Sequence, residues 1–523
     1  MFNYGSNYLI SGSVAPNRYT STDPNIYNKW EQCTLFAGVA FFAQRITNVL
    51  TGKGLGEFGQ AAGRKVLLAF ALGGYFGSAF LYAIGYFAGA ENRYPYPKVY
   101  DECISAANCA PDATVLKEPS LICESGTSTN VTQSIMRSCT EEAVEASKNH
   151  PDGHPTGAFF ILSQGLCGLC APIGASIYAF VRDVTKDDKA YRVAFGQSVG
   201  CGLLSGLLFG FIFGFIFYLG APLPVFFVLT IFGGLLTGGV PALMACLVIK
   251  EPVKPEDRKP MLGKSGAKSV DWSPCHAFMI PFQINRYTAC VFISLGLQAL
   301  LGGMGEFTNV PYLLYAFGIN GIDLAVIAVG GYLSGAINNA IVPRLVGLRK
   351  ATYFGLPSYF VSVATIAFTA DPTAKGVVIL MLAFVIPILG SSNTTGQPAI
   401  YYAQGTAKDT GALSGAWKVG EAFFKLLGGI LGFLLPFWTR LREKDPSLVP
   451  GFHYLVTLPI YILAIAMWMI ADCKYGDQNT LQDEQRIKIF GISAKSATMA
   501  EEIKPQITAS TNSTIVSKNY AHA

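Results

Sequence analysis

About eleven apolar runs, each near the length of a bilayer-crossing helix, punctuate this chain, and that repetition leaves few folds open to it. They lie at about 33–52, 66–90, 157–181, 194–219, 223–249, 287–313, 322–342, 351–370, 376–402, 411–437 and 453–472. Roughly 20 apolar residues cross the hydrocarbon core as a helix, and backbone in lipid must satisfy its own hydrogen bonds. The runs and their short polar joints therefore predict an all-α integral membrane bundle. Composition agrees, with 51% hydrophobic residues against 14% charged ones, spread too evenly for a single anchor. A formal charge of +5 over 523 residues is no nucleic-acid signature. Residues 1–32 are polar and lack the apolar core of a cleavable signal, so insertion is expected to begin at the first run.

Lys and Arg in short joints set the orientation. Arg182, Lys186, Lys189 and Arg192, the basic stretch 250–275, and Arg344, Arg349 and Lys350 all belong on the cytoplasmic face by this rule. The hydrophilic segment 91–156 then falls outside. Its Cys103, Cys109, Cys123 and Cys139 predict two disulfides, with three pairings open, and Asn130-Val131-Thr132 predicts a glycan. Asn130→Gln is expected to abolish a glycosidase-sensitive mobility shift; identical migration of the two untreated proteins would remove the site. Asn393-Thr394-Thr395 lies in a span and Asn512-Ser513-Thr514 in the tail, so neither is expected to be modified. Cys167 and Cys170 sit within an apolar run, where packing explains them better than redox or metal chemistry, and no zinc spacing is found.

The chain divides into a polar segment 1–32, an N-terminal helical half 33–249 carrying the Cys-rich loop 91–156, a basic linker 250–275, a C-terminal half 276–472 and a polar cytoplasmic tail 473–523. Gly202, Gly206, Gly210 and Gly214, at every fourth residue of one span, predict close helix contacts.

Between the first two runs stands Gly56-Glu57-Phe58-Gly59-Gln60-Ala61-Ala62-Gly63-Arg64-Lys65. It resembles the signature loop of the major facilitator superfamily, in which a glycine, an acid and Gly-Arg-Lys join the second and third helices on the cytoplasmic side. Gly56, Gly63, Arg64 and Lys65 match, and Gln60 replaces the acid. Three further features follow the order of that family: the Val181-Arg182-Asp183 joint, the 250–275 linker, and Arg344-Leu345-Val346-Gly347-Leu348-Arg349-Lys350 as a degenerate second copy of the signature. The resemblance covers about 33–472 and is nearest to the tetracycline- and folate-transporter branch. Drug-antiporter marks are weak, since Gln164-Gly165 is present but Ile161 holds the position of an Arg. The resemblance implies two six-helix halves, a gating role for the 56–65 loop, a latch weakened by Gln60, and no cofactor. It places the 33–52 run as family helix two, so the chain is expected to lack helix one or to begin upstream of Met1.

Polar groups within spans mark the candidate site, because ionisable side chains in a bilayer are costly and are usually paired or functional. Glu306 is expected either to carry a proton or to bond backbone where its helix unwinds at Gly302, Gly303 and Gly305, with Asn309 and Gln298 as possible helpers. Lys418, Glu421 and Lys425 share one helix face at spacings of three and four, which suits an intrahelical ion pair or a substrate contact. Arg45 either reaches the headgroups or faces the cavity. Asn338 and Asn339, and the stretch Ser391, Ser392, Asn393, Thr394, Thr395 and Gln397 before Pro398, read as cavity lining. The function expected is alternating-access transport of a small organic solute, with a proton as a candidate co-substrate, by a monomeric multi-pass protein of the plasma membrane or an endomembrane. A transport-dead relative acting as receptor or chaperone is the alternative. An enzyme is not expected, because His150, His154, His276, His453 and His522 are scattered.

Overall fold

In a computed structural model the described helices follow the apolar runs they cover, with differences at three places. The structure describes residues 26–88, 154–170, 239–252, 272–319, 321–346, 348–369, 371–390, 410–445 and 451–476, together with shorter pieces between them. Five helical stretches among the described residues are long and apolar enough to cross a membrane: Arg64–Ile84, Arg286–Glu306, Arg349–Phe368, Gly411–Thr439 and Phe452–Tyr475.

The first difference lies at the signature. Helix α1 (Ile26–Ala62) continues past the expected span end at 52, because 53–62 holds no proline and Gly54, Gly56 and Gly59 stay helical within it. The break comes at Gly63, whose φ of 112° is a conformation that L side chains rarely adopt, and α2 (Arg64–Ala88) starts at once. The expected 56–65 loop is thus the end of one helix, a single glycine and the start of the next. In the stretch read as the second signature copy, described helix runs to Val346 and again from Leu348, and residue 347 lies outside the described residues.

Strands β1 (Cys109–Pro111) and β2 (Leu121–Cys123) pair antiparallel with Cys109 opposite Cys123, and a disulfide joins Cys103 to Cys139. Asn130 lies outside the described residues. Helices α3 (His154–Cys170) and α4 (Val240–Leu247) complete the described N-terminal half. Small residues seat α3 on its neighbours: Ser163 Oγ donates to the Ser78 carbonyl at 2.7 Å and Ser78 Oγ returns a bond to the Ser163 carbonyl at 2.8 Å. Cys167 and Cys170 are buried free thiols in this packing. The glycines at 202, 206, 210 and 214, the tail from 477 and most of 253–271 lie outside the described residues.

A second difference opens the C-terminal half. Where a linker was expected to run directly into a span, α5 (Pro274–Ile284) forms a helix of its own, buried along Ala277, Ile280 and Ile284. The Ser273 hydroxyl caps it by accepting from the His276 N–H at 3.3 Å, and Asn285 Oδ1 caps α6 (Arg286–Phe317) by accepting from Thr288 N–H at 2.7 Å. Helices α7 (Gly321–Val346) and α8 (Leu348–Phe368) follow. The third difference is the expected 376–402 span. It begins as α9 (Lys375–Leu380), widens into a π-helical turn at Met381–Val385, and resumes as α10 (Ile386–Gly390). Residues 391–396, Asn393 included, lie outside the described residues. Helices α11 (Thr410–Gly432), α12 (Leu434–Lys444), α13 (Phe452–Leu455) and α14 (Leu458–Tyr475) complete the half.

Two aromatic clusters lie at different levels of α6. One gathers Phe278, Phe292, Tyr401 and Trp417; the other gathers Tyr312, Tyr315, Phe317 and Tyr454. The polar residues described next fall between them along the helix.

Candidate functional site

Three helices bring charge to one place, and glycines allow it. A Cβ on Gly303 would stand 2.7 Å from Lys425 Cα, and one on Gly428 would stand 2.9 Å from the Met304 nitrogen. The backbones of α6 and α11 therefore touch, as small residues permit in membrane bundles. That approach delivers Lys425 to Glu306, with Nζ 2.7 Å from Oε1. Glu421 Oε1 lies 3.2 Å from the same Nζ, and Lys418 Nζ lies 2.6 Å from Glu421 Oε2. From α1, Arg45 Nη2 pairs with Glu306 Oε2, while its guanidinium carbon sits 4.8 Å above the Phe41 ring.

The result is one chain of ion pairs, Arg45–Glu306–Lys425–Glu421–Lys418, crossing from the N-terminal to the C-terminal half. Its side chains are only 7% to 19% exposed. From Gly411 to Lys425 the helical rise is about 21 Å, and from Gln60 to Arg45 about 22 Å, which places the network well inside a core roughly 30 Å thick. An unpaired charge at such depth costs about 3 kcal/mol even on the lenient insertion scale, so mutual pairing explains how five charged groups coexist here. In this structure Arg45 and Glu306 face each other, and Glu306 bonds two cations.

The other candidates go elsewhere. Asn309 Oδ1 accepts from the Tyr454 hydroxyl at 2.6 Å. Gln298 Nε2 donates to Gln397 Oε1 at 2.5 Å, Gln397 Nε2 donates to Ser294 Oγ at 3.2 Å, and Ser294 Oγ donates to the Ala464 carbonyl at 2.8 Å. Gln397, expected as lining, is fully buried in this tie between α6, α14 and its own helix. Asn338 Nδ2 donates to the Pro387 carbonyl at 3.0 Å and Asn339 Nδ2 to the Gly335 carbonyl at 2.9 Å, so both amides hold helix backbone.

The signature residues form a second locus, at the Gly63 end. A Cβ on Gly56 would stand 2.8 Å from the Gly411 carbonyl oxygen, and one on Gly415 would stand 2.9 Å from Lys53 Cα. Here α1 and α11 cross with backbones in contact. Gln60 lies buried over Gly411, where a Cβ would meet its Cγ at 2.7 Å. Beside the crossing, Lys53 Nζ donates to His276 Nδ1 at 2.8 Å and lies 3.9 Å from Glu57. Arg64 Nε donates to Asp183 Oδ2 at 2.9 Å, and the Arg64 and Lys65 backbone N–H groups donate to the Glu251 carboxylate at 3.0 Å and 2.9 Å. Glu251 so satisfies the open amides and positive dipole of the α2 N-terminus. Asp183 and Glu251 thus supply the carboxylates that meet Arg64 and Lys65. Sequence reasoning named Asp183 only as part of a joint and His276 only as one of five scattered histidines, and it passed over Lys53, Glu251 and Tyr454; the available signals were Asp183 following a span end and Glu251 directly after Lys250.

No family model matches the sequence, and no curated protein matches it. Solved structures do. The human organic anion transporter MFSD10 (TETRAN) superposes with a TM-score of 0.52 at 14% identity over 89% of each chain. A bacterial homologue of the iron transporter ferroportin, outward-facing with soaked iron, superposes with a TM-score of 0.50 at 12% identity, covering 90% of this chain and 98% of that one. At such identities the likeness is one of fold, and with its apolar helices it makes this chain a multi-pass membrane protein with the helical fold of these two transporter structures.

Proposed function

We propose that the protein is a secondary active transporter that moves a small organic solute by alternating access, with the α1/α6/α11 charge network as the site where the solute meets both halves. The observation that carries this reading is the Arg45–Glu306 ion pair, which links the N-terminal half to the C-terminal half deep within the span. A solute that competes for either partner changes how firmly the halves are tied, and a ligand with different affinity for two arrangements shifts their populations. The Gly63 end, taken as cytoplasmic from its basic joints, supplies the gate: the glycine crossing of α1 and α11, flanked by Lys53, Glu57 and His276. The two similar proteins are named for different cargo, an organic anion and iron, so the fold itself does not choose the solute.

The test is uptake by purified protein in sealed vesicles, screened with labelled solutes of neutral, anionic and cationic classes. Saturable uptake or counterflow of at least one class is expected. A monodisperse protein with a cooperative melting transition that moves nothing from any class would overturn the reading, and co-purification of a stoichiometric membrane partner would then put the receptor or chaperone reading in its place.

A further inference from the structure

The charge network does not balance. Among the described residues it joins three cations, Arg45, Lys418 and Lys425, to two carboxylates, Glu306 and Glu421, leaving one positive charge in excess. A second observation points the same way. Arg45 is 6% exposed, and its Nε–H, apart from the Nη2 that serves Glu306, has no hydrogen-bond partner among the described residues. One turn along α1, Asn48 is 3% exposed and its Oδ1 likewise lacks a partner among them. Residues three apart share a helix face. An unmet donor on a cation and an unmet acceptor about 4.5 Å further along the axis therefore stand beside a surplus positive charge.

We propose that the cargo is a small hydroxylated monocarboxylate, its carboxylate on Arg45 Nε and within reach of the surplus charge, its hydroxyl donating to Asn48 Oδ1, and that the protein works as an exchanger of such anions. This rests on the transport reading above and names the substrate class of the same site. The exchange mode follows from charge. Loaded with one monoanion the network is neutral, whereas the empty site must reorient with its excess charge in a medium that penalises it. Return is fastest when another anion rides back.

The experiment uses purified protein in vesicles with two probe series that vary charge on one skeleton: glucitol, gluconate and glucarate, and propane-1,2-diol, lactate and hydroxymalonate. Gluconate or lactate uptake is expected to rise at least about tenfold when the same anion is inside, as a buried-charge penalty on the empty carrier requires. The neutral and doubly charged members are expected to move poorly. Because Arg45→Gln risks misfolding, charge is also tuned from the far end of the network. Glu421→Gln raises the excess to two and is expected to shift preference toward glucarate or hydroxymalonate; Lys418→Gln removes the excess and is expected to abolish stimulation by internal anion. Variants with unchanged charge preference would overturn the proposal. Neutral probes carried as well as gluconate or lactate would overturn the anion class and leave transport standing. Thermal stabilisation by monoanions without uptake would keep the class and overturn transport, and no binding or uptake of either monoanion would overturn the proposal.

Discussion

Glu306→Gln is expected to destabilise the protein by about 3–5 kcal/mol, the usual cost of stripping one partner from a buried ion pair. The cost falls at the high end here because Glu306 serves two cations at once, Arg45 through Oε2 and Lys425 through Oε1. An amide keeps the volume and can accept from one of them, but it leaves Arg45 without a counterion and Lys425 with Glu421 alone, between two aromatic clusters. Adding Arg45→Gln to Glu306→Gln restores the original excess of one charge and leaves Lys425 with Glu421, so the double variant is expected to recover most of the loss. Removing a charge with its counterion spares the protein an orphan. Thermal unfolding of the four proteins of this cycle in detergent decides the matter. A single variant that melts with wild type, or a double variant no better than Glu306→Gln, would mean that the pair contributes nothing to the fold.

That pairing shows how far the sequence could be read. Lys418, Glu421 and Lys425 were legible as one group because helical spacing alone puts them together, and the structure has both Lys418–Glu421 and Lys425–Glu421 contacts. Arg45 and Glu306 were legible as charged residues in apolar runs. Their partnership was not, because they stand 261 residues apart on α1 and α6 and meet only once α11 has packed against both helices. Amides were ambiguous for a related reason. A polar stretch before Pro398 reads the same whether it lines a cavity or binds another helix, and only packing reveals that Gln397 is held by Gln298 and Ser294. Helix ends were the weakest reading. Residues 53–62 hold no proline to stop a helix, and Gly63 shows its role only through its backbone angle. His453, one of five scattered histidines by sequence, is fully buried with its ring centre 4.7 Å from that of Tyr312, a contact that no local pattern announces.

Gly415→Val is expected to pry open the Gly63 end. At Gly415 the first added carbon already stands 2.9 Å from Lys53 Cα and 3.3 Å from the Gly52 carbonyl oxygen, and both are backbone atoms that cannot rotate away. Overpacking of this kind costs about 1–3 kcal/mol. Where that cost lands separates gating from static packing. If the α1/α11 crossing is closed in only one of two arrangements, the strain falls on that arrangement alone and shifts the balance by roughly 5- to 150-fold toward the other. Val419 reports the change, since it is 2% exposed and lies 3.3 Å from the position of a Cβ on Gly52. In a cysteine-depleted background, a membrane-impermeant maleimide is expected to label Val419→Cys faster by that factor when Gly415→Val is present. Gly376→Val is the control, because a Cβ there meets nothing within 4 Å. A fall in melting temperature with unchanged labelling would show that the glycines only pack the helices, and the gate assigned to this crossing would have to be sought elsewhere.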